Sequence, residues 1–468
     1  MNQPSSHLSF SSLQLHTELL ENLSSLQYHT MTPIQAESLP SILHGKDVIA
    51  QAKTGSGKTA AFGLGLLQKL KVKQFRVQSL VLCPTRELAD QVAKEIRKLA
   101  RTIHNIKVLT LCGGMPFGPQ VGSLEHGAHI VVGTPGRVEE HLRKNNLNLD
   151  HLTTLVLDEA DRMLDMGFQA SLDAIIEKTP RKRQTLLFSA TYPEKIQAIA
   201  SRIMIQPKMV KVESTHETTS IQQFFYDVSS INDAEPRLLA LRLLLQQFRP
   251  ESTVVFCNTK KETQEVADGL VASGFSALAL HGDLEQKQRD QILIRFANKS
   301  ASILVATDVA ARGLDIEALD AVVNYHIARE PEVHVHRIGR TGRAGNKGIA
   351  CSLFSEKESY KVTRLEDFLG QAIVPESLPS GSVLNKSFPK PAMATLQIDG
   401  GKKQKVRPGD ILGALTGKDG IDGSAVGKIN VFDNCAYVAV TRDVAKTALK
   451  KIEHGKLKGR SFRVRRIR

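Results

Sequence analysis

Ala52-Lys53-Thr54-Gly55-Ser56-Gly57-Lys58-Thr59 is the stretch that decides the architecture. It follows the apolar run Val48-Ile49-Ala50 and opens onto residues 60–70, which read as a helix. Strand, glycine-rich loop and helix together form a phosphate cradle. The glycines let backbone N–H groups turn onto the anion, Lys58 reaches the outer phosphates, and the Thr59 hydroxyl can ligate Mg²⁺. Ala52 stands where the general motif has its first glycine, a departure from the pattern.

Working outward, short apolar runs alternate with amphipathic stretches from about residue 48 to 210. The runs include Ser79-Leu80-Val81-Leu82-Cys83, His129-Ile130-Val131-Val132, Thr154-Leu155-Val156-Leu157 and Thr185-Leu186-Leu187-Phe188. Continuously apolar strands divided by helices indicate a parallel sheet covered on both faces. The pattern restarts with Thr253-Val254-Val255-Phe256-Cys257, Ser302-Ile303-Leu304-Val305-Ala306 and Ala321-Val322-Val323-Asn324. A Pro, Ser and Gly cluster at 375–391 marks a second break. Beyond it, β-type runs bracket helical stretches at 410–415 and 444–452, a βαββαβ order that fits a small open-faced sandwich. The expected fold class is α/β: two tandem parallel-sheet lobes, 1–212 and 223–375, then an α+β domain at 393–468, with linkers at 213–222 and 376–392.

Composition agrees with a globular chain. It has 468 residues, 41% hydrophobic and 24% charged. No apolar run approaches the eighteen or so residues of a membrane span, and the polar first thirty residues carry no secretion signal. Five scattered cysteines without a CxxC pair point to reduced thiols. The expectation is a cytoplasmic protein with no membrane partner. Net charge is +14, and residues 381–468 hold 19 Lys and Arg against 7 Asp and Glu, so the last fifth carries nearly all the excess. Such asymmetry points to a polyanion, through counterion release from phosphates.

Asp158-Glu159-Ala160-Asp161 ends the strand preceding it. One carboxylate there can hold Mg²⁺ through water, and its neighbour can orient the attacking water. Without a phosphate loop the same residues would read as an acidic helix cap. At this distance from the phosphate loop, the run resembles the DEAD-box RNA helicases. The resemblance implies two RecA-like lobes, ATP bound along Ala52, Lys53, Thr54, Gly55, Ser56, Gly57, Lys58 and Thr59, and Mg²⁺ held by Thr59 and Asp158. Lys58 and Glu159 would be catalytic. Upstream, Phe10, Tyr28 and Gln35 match the family's adenine-reading element: Tyr28 would stack on the base, while the Gln35 amide donates and accepts on its edge. Arg86, Gly114, Thr134 and Arg137, each just after a strand, look like RNA-contacting loops of the first lobe. Ser189 and Thr191 would hydrogen-bond Asp161 and couple ATP state to lobe closure.

In the second half, the resemblance assigns Asp315 to the ribose, and Thr307 and Arg289 to RNA phosphates. His336-Arg337-Ile338-Gly339-Arg340-Thr341-Gly342-Arg343 places Arg340 and Arg343 three apart, where a helical turn would put both guanidinium groups on one face. They are the expected catalytic clamp on the γ-phosphate. The ATP site would then need residues from both lobes.

The last domain resembles an RNA-recognition (RRM-like) fold with a damaged signature. Asp433-Asn434-Cys435-Ala436-Tyr437-Val438-Ala439-Val440 keeps one of the three aromatics that usually stack bases. Recognition would instead use Lys402, Lys403, Lys405, Arg407 and the basic end strand. The combination is similar to the bacterial DbpA-type branch of the family. That similarity implies a monomer acting on 23S rRNA in pre-50S particles during large-subunit assembly. Two other readings stay open on sequence alone: an ATP-gated RNA clamp that unwinds little, and a DNA helicase.

Overall fold

The computed structural model describes residues 9–52, 55–212, 221–311, 319–342 and 347–467. They divide into two compact bodies, one running to residue 212 and the other beginning at residue 221.

In the first body the strands are β1 (Val48–Gln51), β2 (Ser79–Leu82), β3 (Val108–Leu111), β4 (Ile130–Gly133), β5 (Thr154–Asp158), β6 (Gln184–Ser189) and β7 (Lys208–Lys211). All pair in parallel, in the order β3-β4-β2-β5-β6-β1-β7. Helices α1 (Thr17–Ser25), α2 (Pro33–Leu43), α3 (Lys58–Lys69), α4 (Arg86–Leu99), α5 (Phe117–Glu125), α6 (Pro135–Arg143), α7 (Ala160–Asp165), α8 (Gln169–Glu177) and α9 (Glu194–Ile203) connect them. Strands β2, β4, β5 and β6 are buried along their whole length, which is why they read as unbroken apolar runs. Helix α4 shows how its cover forms: Thr85 caps it by accepting from the Leu88 N–H, and Leu88, Ala89, Val92, Ala93, Ile96 and Leu99 face the core. Phe62 and Phe188, both fully buried, meet at 5.2 Å between ring centroids. Burying each ring stabilises by roughly 2–3 kcal/mol.

This strand order sorts the sequence motifs. The phosphate loop, the Asp158 run and the Ser189 run leave the carboxyl ends of adjacent strands β1, β5 and β6. The loops bearing Arg86, Arg137 and Gly114 leave the ends of β2, β4 and β3, which are also contiguous. Parallel sheets place their ligands at this edge.

The second body contains β8 (Ile221–Asp227), β9 (Thr253–Cys257), β10 (Ala277–Leu280), β11 (Ile303–Thr307), β12 (Ala321–Asn324) and β13 (Gly348–Phe354), parallel in the order β10-β11-β9-β12-β13-β8. Helices α10 (Pro236–Phe248), α11 (Lys260–Ala272), α12 (Gln286–Ala297), α13 (Asp308–Ala311), α14 (Pro331–Ile338) and α15 (Ser359–Leu369) accompany them. The same body ends in an antiparallel sheet of β14 (Met393–Ile398), β15 (Val426–Val431), β16 (Ala436–Thr441) and β17 (Val464–Arg466), in the order β15-β16-β14-β17. Helices α16 (Pro408–Thr416) and α17 (Ala445–His454) complete this unit.

Two local expectations differ from the structure. Helix α14 stops at Ile338, with Gly339 as its cap and Gly342 at φ 65°, so Arg340 lies in the turn after the helix and not on a helical face. Glycines at both positions favour termination over another turn. The stretch 376–392 is laid along the second body: Leu378 and Phe388 pack against its core, Phe388 meets Phe275 at 4.8 Å, and Arg249 Nη2 donates to the Ser387 carbonyl at 2.8 Å. Of the expected first linker, residues 213–220 lie outside the described residues. Among the described residues, no helix is long and apolar enough to cross a membrane.

Candidate active site

The phosphate loop turns on Gly55 and Gly57, with φ of 84° and 93°, a region open to glycine and costly for other residues. A Cβ at Gly57 would also come within 2.5 Å of Gln35 Nε2. Gln35 is buried, and both ends of its amide are engaged: Oε1 accepts from the Thr32 N–H at 2.9 Å, and Nε2 donates to the Gly57 carbonyl at 3.0 Å. The residue expected to read adenine therefore also latches the phosphate loop. Tyr28 is anchored through its hydroxyl, which donates to Glu95 Oε1 and accepts from Lys98 Nζ, each at 2.9 Å. Lys53 and Thr54 lie outside the described residues. Ala52 is buried at the start of the loop, and Lys58 Nζ donates back to its carbonyl at 2.8 Å. Lys58 and Thr59 form the first turn of α3.

Asp158 ends β5, buried, and its Oδ1 has no hydrogen-bond partner among the described residues. Burial pushes its carboxyl up to about 7 against the pull of the Lys58 ammonium, with Glu159 adding to the rise. A buried carboxylate oxygen without a donor, on the strand next but one to the phosphate loop, suits a hydrated dication. Glu159 follows in left-handed backbone at φ 51°, a strained position for a non-glycine residue. Its Oε2 is held by Arg162 Nη1 at 2.7 Å, with both side chains buried. Sequence reasoning passed over Arg162, although three-residue spacing at a helix start was the available signal.

Asp161 Oδ2 accepts from the Thr191 N–H at 3.0 Å and from Thr191 Oγ1 at 2.9 Å, while the Asp161 N–H donates to Ser189 Oγ at 3.4 Å. Burial alone would raise the Asp161 pKa, but the bonds from Thr191 hold it below its ordinary value. The carboxylate run and the Ser189–Thr191 run, 28 to 30 positions apart, thus meet as hydrogen-bonded neighbours.

Along the other half of the edge, Arg86 opens α4 and lies 3.7 Å from Asp90. Gly114 sits at φ 73° and Thr134 caps α6. Arg137 Nη1 donates to the Met115 carbonyl and to Gln120 Oε1, so the loops of Gly114 and Arg137 are tied together.

In the second body, Thr307 ends β11 and its Oγ1 accepts from the Ala310 N–H at 3.4 Å. Arg289 lies on α12, and Arg340 is buried after α14. Asp315 and Arg343 lie outside the described residues. Sequence reasoning missed Arg337: its Nε and Nη2 grip the two oxygens of Asp308 at 2.7 Å each, and Nη1 donates to the His326 carbonyl at 3.0 Å.

The antiparallel sheet answers the question its missing aromatics raised. Leu396, Ile398, Val438 and Val440 point into the core beneath α16 and α17. The opposite face carries Thr395, Gln397 and Tyr437, all buried. Asn298 and Ser300 reach Thr395 at 3.3 and 2.8 Å, and Gln291 of α12 reaches Gln397 at 3.2 Å and the Tyr437 hydroxyl at 3.5 Å. The face on which this fold usually stacks bases is covered by α12 and the turn after it. Lys402, Lys403, Lys405 and Arg407 lie before α16, all four exposed to solvent.

The chain matches known families along most of its length. Residues 32–199 match the DEAD/DEAH box helicase family, 235–345 the helicase conserved C-terminal domain, and 395–466 the DbpA RNA binding domain. The chain is 56% identical to the ATP-dependent RNA helicase DbpA of Escherichia coli over 96% of its own length and 97% of that protein's. It is 44% identical to the DEAD-box ATP-dependent RNA helicase CshA of Bacillus cereus over 76% of its length and 67% of that protein's. Among solved structures it resembles S. cerevisiae Dbp5 bound to RNA and ADP BeF3, with TM-score 0.68 and 29% identity over 78% of this chain and 95% of that one. It also resembles Mss116p bound to ssRNA and AMP-PNP, with TM-score 0.72 and 29% identity over 82% of each chain. The chain belongs to the DEAD-box ATP-dependent RNA helicases, in the DbpA type with its own RNA-binding domain, and is an RNA-dependent ATPase.

Proposed function

We propose that this helicase remodels short duplexes in 23S rRNA within pre-50S particles, acting as a cytoplasmic monomer that its C-terminal domain delivers to a structured RNA site. The observation that carries the targeting claim is the C-terminal domain itself. It holds the chain's excess positive charge, with four of those residues exposed just before α16, while its sheet face is taken up by α12. Loop lysines and arginines suit a folded RNA's phosphates, and a covered sheet does not suit stacked single-stranded bases. The ribosomal identity of the RNA rests on kinship with DbpA-type helicases.

In this reading Thr59 and Asp158 would hold Mg²⁺, which would supply positive charge against the ATP phosphates. Gly55, Ser56, Gly57 and Lys58 cradle those phosphates, with Lys53 and Thr54 completing the loop. Tyr28 and Gln35 select adenine and Asp315 the ribose. Glu159 orients the attacking water, and Arg340 and Arg343 stabilise charge on the transferring phosphoryl group. Arg86, Gly114, Thr134, Arg137, Arg289 and Thr307 take RNA phosphates, and Asp161 with Ser189 and Thr191 relays nucleotide state.

RNA-stimulated ATPase with 23S rRNA fragments tests the targeting. Replacing Lys402, Lys403 and Lys405 by Glu should raise the half-saturating concentration of the cognate fragment. It should also lower the salt slope of binding by about one for each phosphate no longer neutralised. Tyr437→Ala should leave that concentration within about twofold while lowering stability by roughly 2 kcal/mol. Equal stimulation of the parent by every RNA, or loss of RNA binding in Tyr437→Ala at unchanged stability, would defeat the proposal.

A further inference from the structure

Gln120 lies on α5, 7% exposed. Its amide ties α5 to two other segments, the end of β3 and helix α6. Nε2 donates to the carbonyl of Cys112, just before Gly113-Gly114, at 3.1 Å. Oε1 stands 2.9 Å from Arg137 Nη1 and 2.9 Å from His141 Nε2. Chemistry leaves one assignment of these bonds. Arginine only donates, so the amide oxygen must face it, and His141 must then donate to the same oxygen from Nε2–H. His141 is fully buried, its Nδ1 has no hydrogen-bond partner among the described residues, and its ring stacks on Phe117 at 4.2 Å and 9°. Burial, reinforced by the Arg137 charge, holds its pKa below the ordinary value.

Arg137 is gripped from other sides as well. Nη1 also donates to the Met115 carbonyl at 3.0 Å, Nε lies 3.1 Å from Glu140 Oε2, and the guanidinium sits 5.5 Å from the Phe117 ring centre. Both of its hydrogen bonds among the described residues leave from Nη1, so Nη2 is the terminal nitrogen left over for a phosphate oxygen. An arginine that grips phosphate from solvent gives up rotamer freedom at that moment. Here the side chain is already ordered by folding, which favours binding.

We propose that Gln120 is a positioning residue for RNA: it sets the Arg137 guanidinium and locks the Gly113-Gly114 loop to the Arg137 loop as one phosphate-binding unit. This rests on the reading of Arg137 as an RNA contact. It also assigns a reason for His141, a buried ring outside every recognised motif: it fixes which way the Gln120 amide faces.

Steady-state ATPase of the full chain, titrated with a single-stranded oligoribonucleotide, tests it in Gln120→Leu, Arg137→Ala and the double variant. Gln120→Leu should raise the half-saturating RNA concentration about tenfold, with kcat at saturating RNA and KM for ATP within about twofold of the parent. In the Arg137→Ala background the same change should add less than about twofold, because the group it positions is gone. If the two changes multiply, or if Arg137→Ala weakens RNA while Gln120→Leu does not, Gln120 does not act through Arg137. If Arg137→Ala leaves RNA dependence intact, the RNA contact itself is wrong and the inference falls with it. Should Gln120→Leu fail to fold, Gln120→Asn keeps the amide but withdraws it from Arg137, and the same rise is expected.

Discussion

Asp158 ends β5 in one parallel sheet and Asp308 follows β11 in the other, each at the carboxyl end of a strand, and their surroundings are opposite. Asp308 is gripped through both oxygens by Arg337, while Asp158 has one oxygen without a partner among the described residues and a carboxyl pushed up to about 7. A buried carboxylate left unpaired costs stability, and a bidentate pair relieves that cost. The first body thus keeps an unfavourable charge on the strand next but one to the phosphate loop. The second neutralises Asp308 with a residue three positions before Arg340. One site is prepared for a ligand and the other is closed by the protein.

The largest effect expected around this pair is on rate. Glu159→Gln, beside the open carboxylate, should lower RNA-stimulated kcat by about 10³-fold with ATP affinity retained, measured by steady-state ATPase and nucleotide binding. A variant with near-parent kcat would mean that the strained, Arg162-held carboxylate does not orient water.

Next in size is the closed site. Arg337→Leu strands Asp308 and should destabilise the second body by roughly 3 kcal/mol in denaturant unfolding. No loss of stability would erase the contrast between the two aspartates.

The smallest effect has the opposite sign. The folded pKa of Asp158 lies above its unfolded value near 3.8, so its charge opposes folding. That penalty is fully present above about pH 7 and fades as pH falls from 7 toward 4. In the absence of nucleotide and Mg²⁺, Asp158→Asn should therefore be more stable than the parent by about 1 kcal/mol at pH 8, the gain shrinking on acidification. Thermal unfolding across pH reads this directly, and a destabilised variant at pH 8 would contradict it.

Much of the first body was legible because its chemistry sits in contiguous runs. The phosphate loop and the Asp158 run each pack their chemistry into a few consecutive positions, and continuously apolar strands announced a sheet covered on both faces. Arg162 was passed over although its three-residue spacing from Glu159 was there to read, whereas Arg337 and Gln120 were not legible. Each of these two acts through partners 29 or 17 to 21 positions away, and only the fold tells such a partner from any other carboxylate, arginine or histidine. The Arg340 turn was misjudged because three-residue spacing suggests a helix, while Gly339 and Gly342 end it.

The C-terminal domain draws the boundary most clearly. Its basic excess and its lone Tyr437 could be counted from the residues, and the missing aromatics already argued against base stacking. That α12 covers the stacking face was decided by tertiary structure, because Thr395 and Gln397 find Asn298, Ser300 and Gln291 about a hundred residues upstream. The same holds for the ATPase edge. Local sequence determined each loop's chemistry, since backbone turns and charged side chains are chosen residue by residue. The strand order β3-β4-β2-β5-β6-β1 decided which loops stand together, because parallel pairing joins strands with no regard for their order in the chain.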